Sequence, residues 1–434
     1  MVRNPEFERT VLDNGITLLV ERLPSLNTVS IGFWTDLGSR EEPPEMEGAA
    51  HFIEHMIFKG TGRRSAADIA HEIESAGGGI NAMTGRELTT CHARTLPEYL
   101  PVAVDILTDI VLNSTFEEDE LTREKEVILE EIKDVLDTPE ELVYDLFHED
   151  CFGRAGIGHP VHGSEETVVG MSRAALLRLY RERYAPTSLI VAVAGNPGSH
   201  DPAELISGAV RGGPDAGHSA PRGTGGGKPA FGTGIRTHER KTEKVHLMMG
   251  VEGVPYHSDD RFVHGVLDAV LGGGMSSRLF QEVREKRGLV YDIGTENVHY
   301  GDTGIFGISA STRPANVPKL VAAVVSELAR VKKGDVRPDE LSRVKNQLRT
   351  SIAMSLESAN SRMIKIGRSE IYYGRNVTDD EIMNSILMVT LDDLVRAACE
   401  LFRPERFMTI TLGPIPGGGA ENLRADVADA LHSL

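Results

Sequence analysis

Three ordered sets of residues recur along this chain at almost one spacing. Thr95, Pro97 and Pro101 return as Thr312, Pro314 and Pro318, an offset of 217 residues. Asp119-Glu120-Leu121 with Arg123 and Lys125 returns as Asp339-Glu340-Leu341 with Arg343 and Lys345, an offset of 220. Tyr184, Pro186 and Gly195 are answered by Phe402, Pro404 and Gly413, an offset of 218. A fused duplication accounts for matches that keep both order and spacing. Between the copies, Gly212 to Gly234 is dense in glycine, carries Pro214, Pro221 and Pro229, and offers almost no large apolar side chains. Such a segment cannot build a core and reads as a linker. The expected organisation is an N-terminal half over 1–211, a linker over 212–234 and a C-terminal half over 235–434. Each half is expected to be α+β, with an antiparallel or mixed sheet flanked by helices.

Length agrees, since 434 residues supply two to three domains' worth of core. Lys plus Arg is 46 against 65 for Asp plus Glu, a formal charge of -19, which is the wrong sign for neutralising phosphates and argues against a nucleic-acid partner. Cys91, Cys151 and Cys399 are odd in number and form no CxxC pair, so no disulfide framework is implied and a reducing compartment fits. No apolar run approaches about 18 residues and the first residues lead into no signal-like stretch, so a soluble, cytoplasmic protein without a membrane span is expected.

Local patterns place the elements. Asp13-Asn14-Gly15 between alternating apolar positions predicts a hairpin turn. Glu47 to Lys59 has helical, largely apolar periodicity and stops at Gly60. Ser65 to Ala76 reads as a capped helix halted by Gly77-Gly78-Gly79. Ile80 to Thr95 reads as strand, Val102 to Leu112 and Glu117 to Leu136 as helices, and Leu189 to Gly195 as a buried strand.

The strongest local signal is His51-Phe52-Ile53-Glu54-His55 within the first helix. At about 100° per residue, His51 and His55 stand one turn apart with Glu54 on the same stripe. Two imidazoles so spaced can bind one divalent ion, and a carboxylate beside them can deprotonate a metal-bound water. The order is that of the inverted zinc-protease motif. Taken alone, the string fits a polar surface stripe with incidental histidines equally well. The helix Glu117 to Leu136 adds the second half of the case. Glu124 and Glu131, seven residues apart, project the same way close to its apolar edge of Leu121, Ile128, Ile132 and Val135. Glu131 is read as the third ligand, because two neutral histidines and one carboxylate leave zinc an open position for water. Glu124 is read as the partner that orients a ligand. Glu117, Glu118, Asp119 and Glu130 are a solvated acidic face.

The run His51-Phe52-Ile53-Glu54-His55-Met56-Ile57-Phe58-Lys59-Gly60-Thr61, followed by Asn81-Ala82 and then Glu124 and Glu131, resembles the pitrilysin metallopeptidase family, the inverzincins. Within that family the likeness is strongest to the catalytic beta subunit of the mitochondrial processing peptidase and its bacterial relatives, and it covers essentially the whole chain. The resemblance implies two similar halves enclosing a cavity, the first metal-binding and catalytic, the second lending walls to a substrate chamber. It implies one Zn2+ per chain held by His51, His55 and Glu131, with Glu54 as general base and Glu124 as a supporting acid. It further implies that the strand with Asn81 and Ala82 accepts substrate backbone by edge pairing. The activity implied is zinc-dependent endopeptidase cleavage of unfolded or presequence-like peptides. The partner implied is a second subunit, as a homodimer or as a heterodimer with a non-catalytic homologue.

A shift of 220 residues sets Leu271, Gly274 and Met275 against His51, Glu54 and His55, and Val344 and Ser351 against the two downstream glutamates, so the second copy cannot hold the metal. Its Arg284-Glu285-Lys286-Arg287-Gly288-Leu289-Val290-Tyr291 is similar to a family segment whose arginine and tyrosine reach the bound peptide, which implies catalytic roles for Arg284 and Tyr291. Read from the residues alone, Arg284 is a solvated helix charge and Tyr291 a half-buried strand residue. His148, Cys151, His159 and His162 form a competing zinc-knuckle pattern, in a glycine-rich stretch without tight ligand pairs. The family resemblance instead puts His159-Pro160 in a loop near the substrate. A non-catalytic core subunit and a peptide-binding module of the same fold are the other readings of the chain.

Overall fold

The computed structural model describes residues 6–210, 228–415 and 419–434. The linker reading of Gly212 to Gly234 therefore falls mostly outside the described residues. The chain divides into two compact units: Met1–Lys133 with His159–Gly225 and Ile352–Val377, and Asp134–Gly158 with Gly226–Ser351 and Thr378–Leu434. Each unit thus takes a segment from the opposite half of the sequence.

The first unit is built on six strands: β1 (Glu6–Val11), β2 (Thr17–Arg22), β3 (Val29–Thr35), β4 (Gly79–Thr84), β5 (Thr89–Thr95) and β6 (Ile190–Gly195). Their order is β1-β2-β6-β3-β5-β4, antiparallel except that β2 and β6 run parallel. The second unit has β7 (Gly234–Glu239), β8 (Val245–Glu252), β9 (Ile293–His299), β10 (Gly304–Thr312) and β11 (Met408–Gly413), in the order β7-β11-β8-β10-β9, with β7 and β11 parallel. The second sheet is the first without β1, so the duplication is present in topology as well as in sequence. The repeated residues hold the same stations: Thr95 and Thr312 end β5 and β10, and Gly195 and Gly413 end β6 and β11.

The hairpin at Asn14-Gly15 forms, with the Asn14 side chain accepting from the Ile16 N–H at 3.1 Å and Gly15 at a φ of +89°. Ile80 to Thr95 is not one strand but two, β4 and β5. The turn between them, closed by the Gly85 N–H on the Leu88 carbonyl at 2.8 Å, carries a single glycine and so leaves a weak trace in the sequence.

Strand β3 is buried along its whole length. On one face Val29, Ile31 and Phe33 join the core formed with the helices α1 (Ala49–Ile57), α2 (Ala66–Ser75) and α3 (Leu100–Asn113). On the other, Trp34 packs with Leu19, Ile190, Ala192, Met363 and Ile366, the last two from the helix Ala359–Tyr373. Approach is close enough that a Cβ on Gly367 would meet the Trp34 indole at 2.5 Å. In the second unit, α5 (Pro139–Phe152), which follows α4 (Glu118–Asp137), covers the sheet in the same way, with Val143, Phe147 and Cys151 against Met248, Ile410 and Leu412.

Gly367→Ala is expected to destabilise the protein by about 1–3 kcal/mol, because the indole is locked in a core that cannot yield. Gly208→Ala, in a helix where a Cβ meets nothing within 4 Å, should be neutral or slightly stabilising. Chemical denaturation midpoints of the two variants measure the contrast.

Candidate metal centre

Helix α1 buries Phe52, Ile53, Met56 and Ile57 and turns half-buried His51, Glu54 and His55 to its other side. Its first residue follows Gly48, which at a φ of +92° brings no side-chain cap to the exposed N–H groups of the first turn. Glu42 supplies one from a distance. This fully buried carboxylate accepts the Gly48 N–H at 2.7 Å and the Ala50 N–H at 2.6 Å. Burial pushes its carboxyl well above the usual range, against the pull of those two bonds. The Nε2 of His159 stands 3.8 Å from the same carboxylate, and the Arg86 guanidinium donates to the His159 carbonyl. The start of the histidine helix is thereby pinned to two loops distant in sequence.

Helix α4 delivers Glu124 and Glu131 to the same side of α1. Glu124 accepts from His55 Nδ1 at 3.0 Å and pairs with the Lys59 ammonium at 2.6 Å. Burial raises the Glu124 carboxyl, but the bonds to His55 and Lys59 outweigh it and leave the pKa below the ordinary value. A proton held on Nδ1 by an ionised carboxylate frees the Nε2 lone pair of His55. That Nε2 lies 3.5 Å from Glu131 Oε2, and His51 Nε2 lies 3.8 Å from the same oxygen. Burial, and then the fields of His55 and His162, hold the His51 pKa down at about 3, so its imidazole is neutral.

Ligand atoms of His51, His55 and Glu131 all lie within 4.8 Å of one another, and no other group of three or more His, Cys, Asp or Glu among the described residues does so. Tetrahedral zinc with bonds of 2.0–2.1 Å separates its ligand atoms by about 3.4 Å. The observed spacings come near that value, and two neutral imidazoles with one carboxylate match zinc's preferred donors, so the residues fit the ion. The zinc-knuckle pattern does not assemble: His148 is tied to the Tyr300 hydroxyl at 2.9 Å and the Tyr144 carbonyl at 2.8 Å, and Cys151 is buried in the core of the second unit, its thiol pushed up by burial.

Glu54 stands outside the donor set. Burial pushes its carboxyl up, against the opposing pull of nearby Thr84 and the field of His55. Asn81, Ala82 and Thr84 lie on β4, the edge strand against which α1 packs, and the Ala82 N–H is held by the Asn81 side chain at 3.0 Å. Arg284 and Tyr291 belong to the second unit, where the guanidinium sits over the Tyr291 ring at 5.1 Å and the Phe280 ring at 4.5 Å. Tyr291 is not a half-buried strand residue: it is 77% exposed and precedes β9. Glu42 escapes a reading of the sequence, because it caps the helix from six residues before Gly48, where no spacing rule looks for a cap.

A duplicated α+β scaffold that carries this donor set, with a free carboxylate one residue from a histidine, defines a zinc metallopeptidase. The comparisons agree with that class. Residues 17–165 match the model of the insulinase family, peptidase family M16, and residues 170–348 the peptidase M16 inactive domain. The chain is 38% identical over 427 residues to an uncharacterised zinc protease of Streptomyces coelicolor, covering 97% of this chain and 92% of that protein. It is 36% identical over 398 residues to the uncharacterised zinc protease YmxG of Bacillus subtilis, covering 91% and 96%. Among solved structures, a protease from Helicobacter pylori superposes with a TM-score of 0.88 at 22% identity, over 94% of this chain and all 100% of the other, a likeness of fold. The chain belongs to peptidase family M16. No helix among the described residues is long and apolar enough to cross a membrane.

Proposed function

We propose that the chain is an endopeptidase that cuts unfolded, presequence-like peptides at a single zinc ion held by His51, His55 and Glu131. The observation that carries this reading is the convergence of those three donors, with Glu54 adjacent to them and outside the set. Zinc bound there supplies Lewis acidity, lowering the pKa of water and polarising a carbonyl. Glu54 takes the proton of the attacking water and returns it to the leaving amine, a role its burial-raised pKa suits by bringing the carboxyl closer to working pH. Glu124 holds His55 in one tautomer.

Substrate lies along β4, where Asn81 and Ala82 offer an open sheet edge. Edge pairing requires an extended backbone, so an unfolded segment is the expected substrate. A formal charge of -19 favours basic peptides. Arg284 and Tyr291 are assigned to the bound peptide by family resemblance, as is a paired subunit.

Incubation with a mixed peptide library, read by mass spectrometry for new termini, tests the proposal. Internal cleavage is expected, abolished by a chelator and restored by zinc. Tight peptide binding without new termini in the zinc-loaded protein would replace the endopeptidase with a binding module.

A further inference from the structure

We infer that Glu42 is a positioning residue of the metal centre, holding the first turn of α1 so that His51 stays within reach of the ion. The inference rests on the zinc site proposed above, and goes beyond it by naming what fixes the ligand whose ring is least held. His55 is tied at Nδ1 to Glu124 at 3.0 Å. The Nδ1 of His51 is buried and has no hydrogen-bond partner among the described residues. Its place is therefore set by the backbone that carries it, and that backbone is the start of a helix of nine residues.

The first turn of a helix is its weak part, since its N–H groups have no partners within the helix. His51 is the third residue of α1, and Gly48 before the helix has no side chain to offer. Glu42 meets the Gly48 N–H with Oε2 at 2.7 Å and the Ala50 N–H with Oε1 at 2.6 Å. The two oxygens of one fully buried carboxylate thus clamp the residue before the helix and the residue before His51. Without the clamp the turn frays. Zinc then binds only the fraction of molecules in which the turn is formed, and the apparent Kd rises by the inverse of that fraction. His55, one turn further on and held by Glu124, keeps its place.

Glu42 is itself fixed from both sides. Its N–H donates to the Ser39 carbonyl at 3.2 Å, and the short turn so closed is tied to the β4–β5 connection by the Ser39 N–H on the Gly85 carbonyl at 3.2 Å and the Arg40 N–H on the Arg86 carbonyl at 2.8 Å. On the other side, His159 Nδ1 donates to the Pro160 carbonyl at 3.1 Å, which turns its Nε2 to the Glu42 carboxylate at 3.8 Å. The loop that follows closes on the entry to the helix. The Thr167 hydroxyl donates to the Glu47 carbonyl at 2.7 Å, and a Cβ on Gly163 would meet that carbonyl at 2.2 Å. A carboxylate gripped in this way cannot follow a fraying turn, so it holds the turn in place.

Glu42→Gln keeps the shape and one acceptor oxygen but turns an amide NH2 toward the second N–H, so a donor faces a donor. The expected result is a fall in zinc affinity of about 10-fold by chelator competition, the order of a lost helix cap. Excess zinc is expected to recover the activity lost at limiting zinc, because the bound ion reforms the turn. Hydrogen exchange over residues 48–51 should quicken in the zinc-free variant and slow again with zinc. Gly367→Ala, which loosens the same unit on the face of β3 away from α1, is the control and should keep wild-type zinc affinity. Wild-type affinity in folded Glu42→Gln overturns the inference, as does an equal loss in Gly367→Ala or a loss of activity that excess zinc does not recover. Should the glutamine variant not fold, Glu42→Asp, which draws both oxygens back by one methylene, is expected to lose affinity in the same direction, and wild-type affinity there overturns the inference equally. Failure of the underlying zinc site is separately visible, because the wild type would then bind no zinc.

Discussion

Glu54→Gln is expected to retain its zinc and lose its peptidase activity. The side chain lies outside the donor set and glutamine has the same shape, so neither the metal nor the packing has reason to change. What it cannot do is take a proton. General bases contribute roughly 10²–10⁴-fold to rate, so kcat should fall by about 10³-fold, close to 4 kcal/mol of transition-state stabilisation. Metal analysis beside a peptide-cleavage assay checks both halves of the statement, and turnover in a zinc-loaded variant would remove Glu54 from its role. The same substitution carries a stability signature in the metal-free protein. Burial raises the Glu54 pKa above its unfolded value, so the unfolded state binds fewer protons as pH rises, and ionising this group disfavours the fold at neutral pH. The penalty is absent below the unfolded value near 4.3 and grows through the folded one. Glu54→Gln removes it, so the metal-free variant should melt above wild type at pH 7 and level with it in acid, the usual opposition between activity and stability at a working site.

How much of this was legible in the sequence depends on the distance over which each residue acts. His51 and His55 share a helix face, and Glu124 and Glu131 another, because both pairs obey the helical period, which five or eight consecutive residues reveal. The duplication was legible because its repeated residues mark fixed structural stations. Pro97 and Pro314 each open the short turn before a long helix, and Gly195 and Gly413 each end a strand at positive φ, where a side chain would be strained. The exchange of helices between halves left no such trace. The faces of α5 and of Ala359–Tyr373 reveal that each is half-buried but not which sheet each covers, and the fit of Gly367 against Trp34 exists only after folding. Glu42 was hidden for a related reason. Helix caps are sought at the residue before the helix, and here that residue is a glycine while the cap is a carboxylate six positions earlier, beyond two prolines.

Glu131→Gln should cost more zinc affinity than Glu124→Gln, and the order of the two is the sharper test of the centre. Both glutamates come from α4, both face α1, and the sequence alone ranks them only by analogy. The geometry separates them. Glu131 Oε2 stands 3.5 and 3.8 Å from the Nε2 atoms of His55 and His51, spacings that one ion can bridge, whereas Glu124 bonds the Nδ1 of His55 and so acts through that ring. Replacing Glu131 takes away the one anionic donor among the three and leaves two imidazoles, too few to hold zinc firmly. Replacing Glu124 leaves an amide oxygen that can still accept the Nδ1 proton. It loses the charge that makes the opposite nitrogen more basic and strands the Lys59 ammonium, for which about 10- to 100-fold in affinity is the expected size. Glu131→Gln should exceed that range, enough that the purified variant carries no zinc and cuts no peptide, while Glu124→Gln recovers part of its activity when zinc is added in excess. Chelator competition gives the affinities directly. If Glu124→Gln proved the weaker binder of the two, the ligand would be Glu124, and His55 would have to turn its ring to reach the ion through Nδ1.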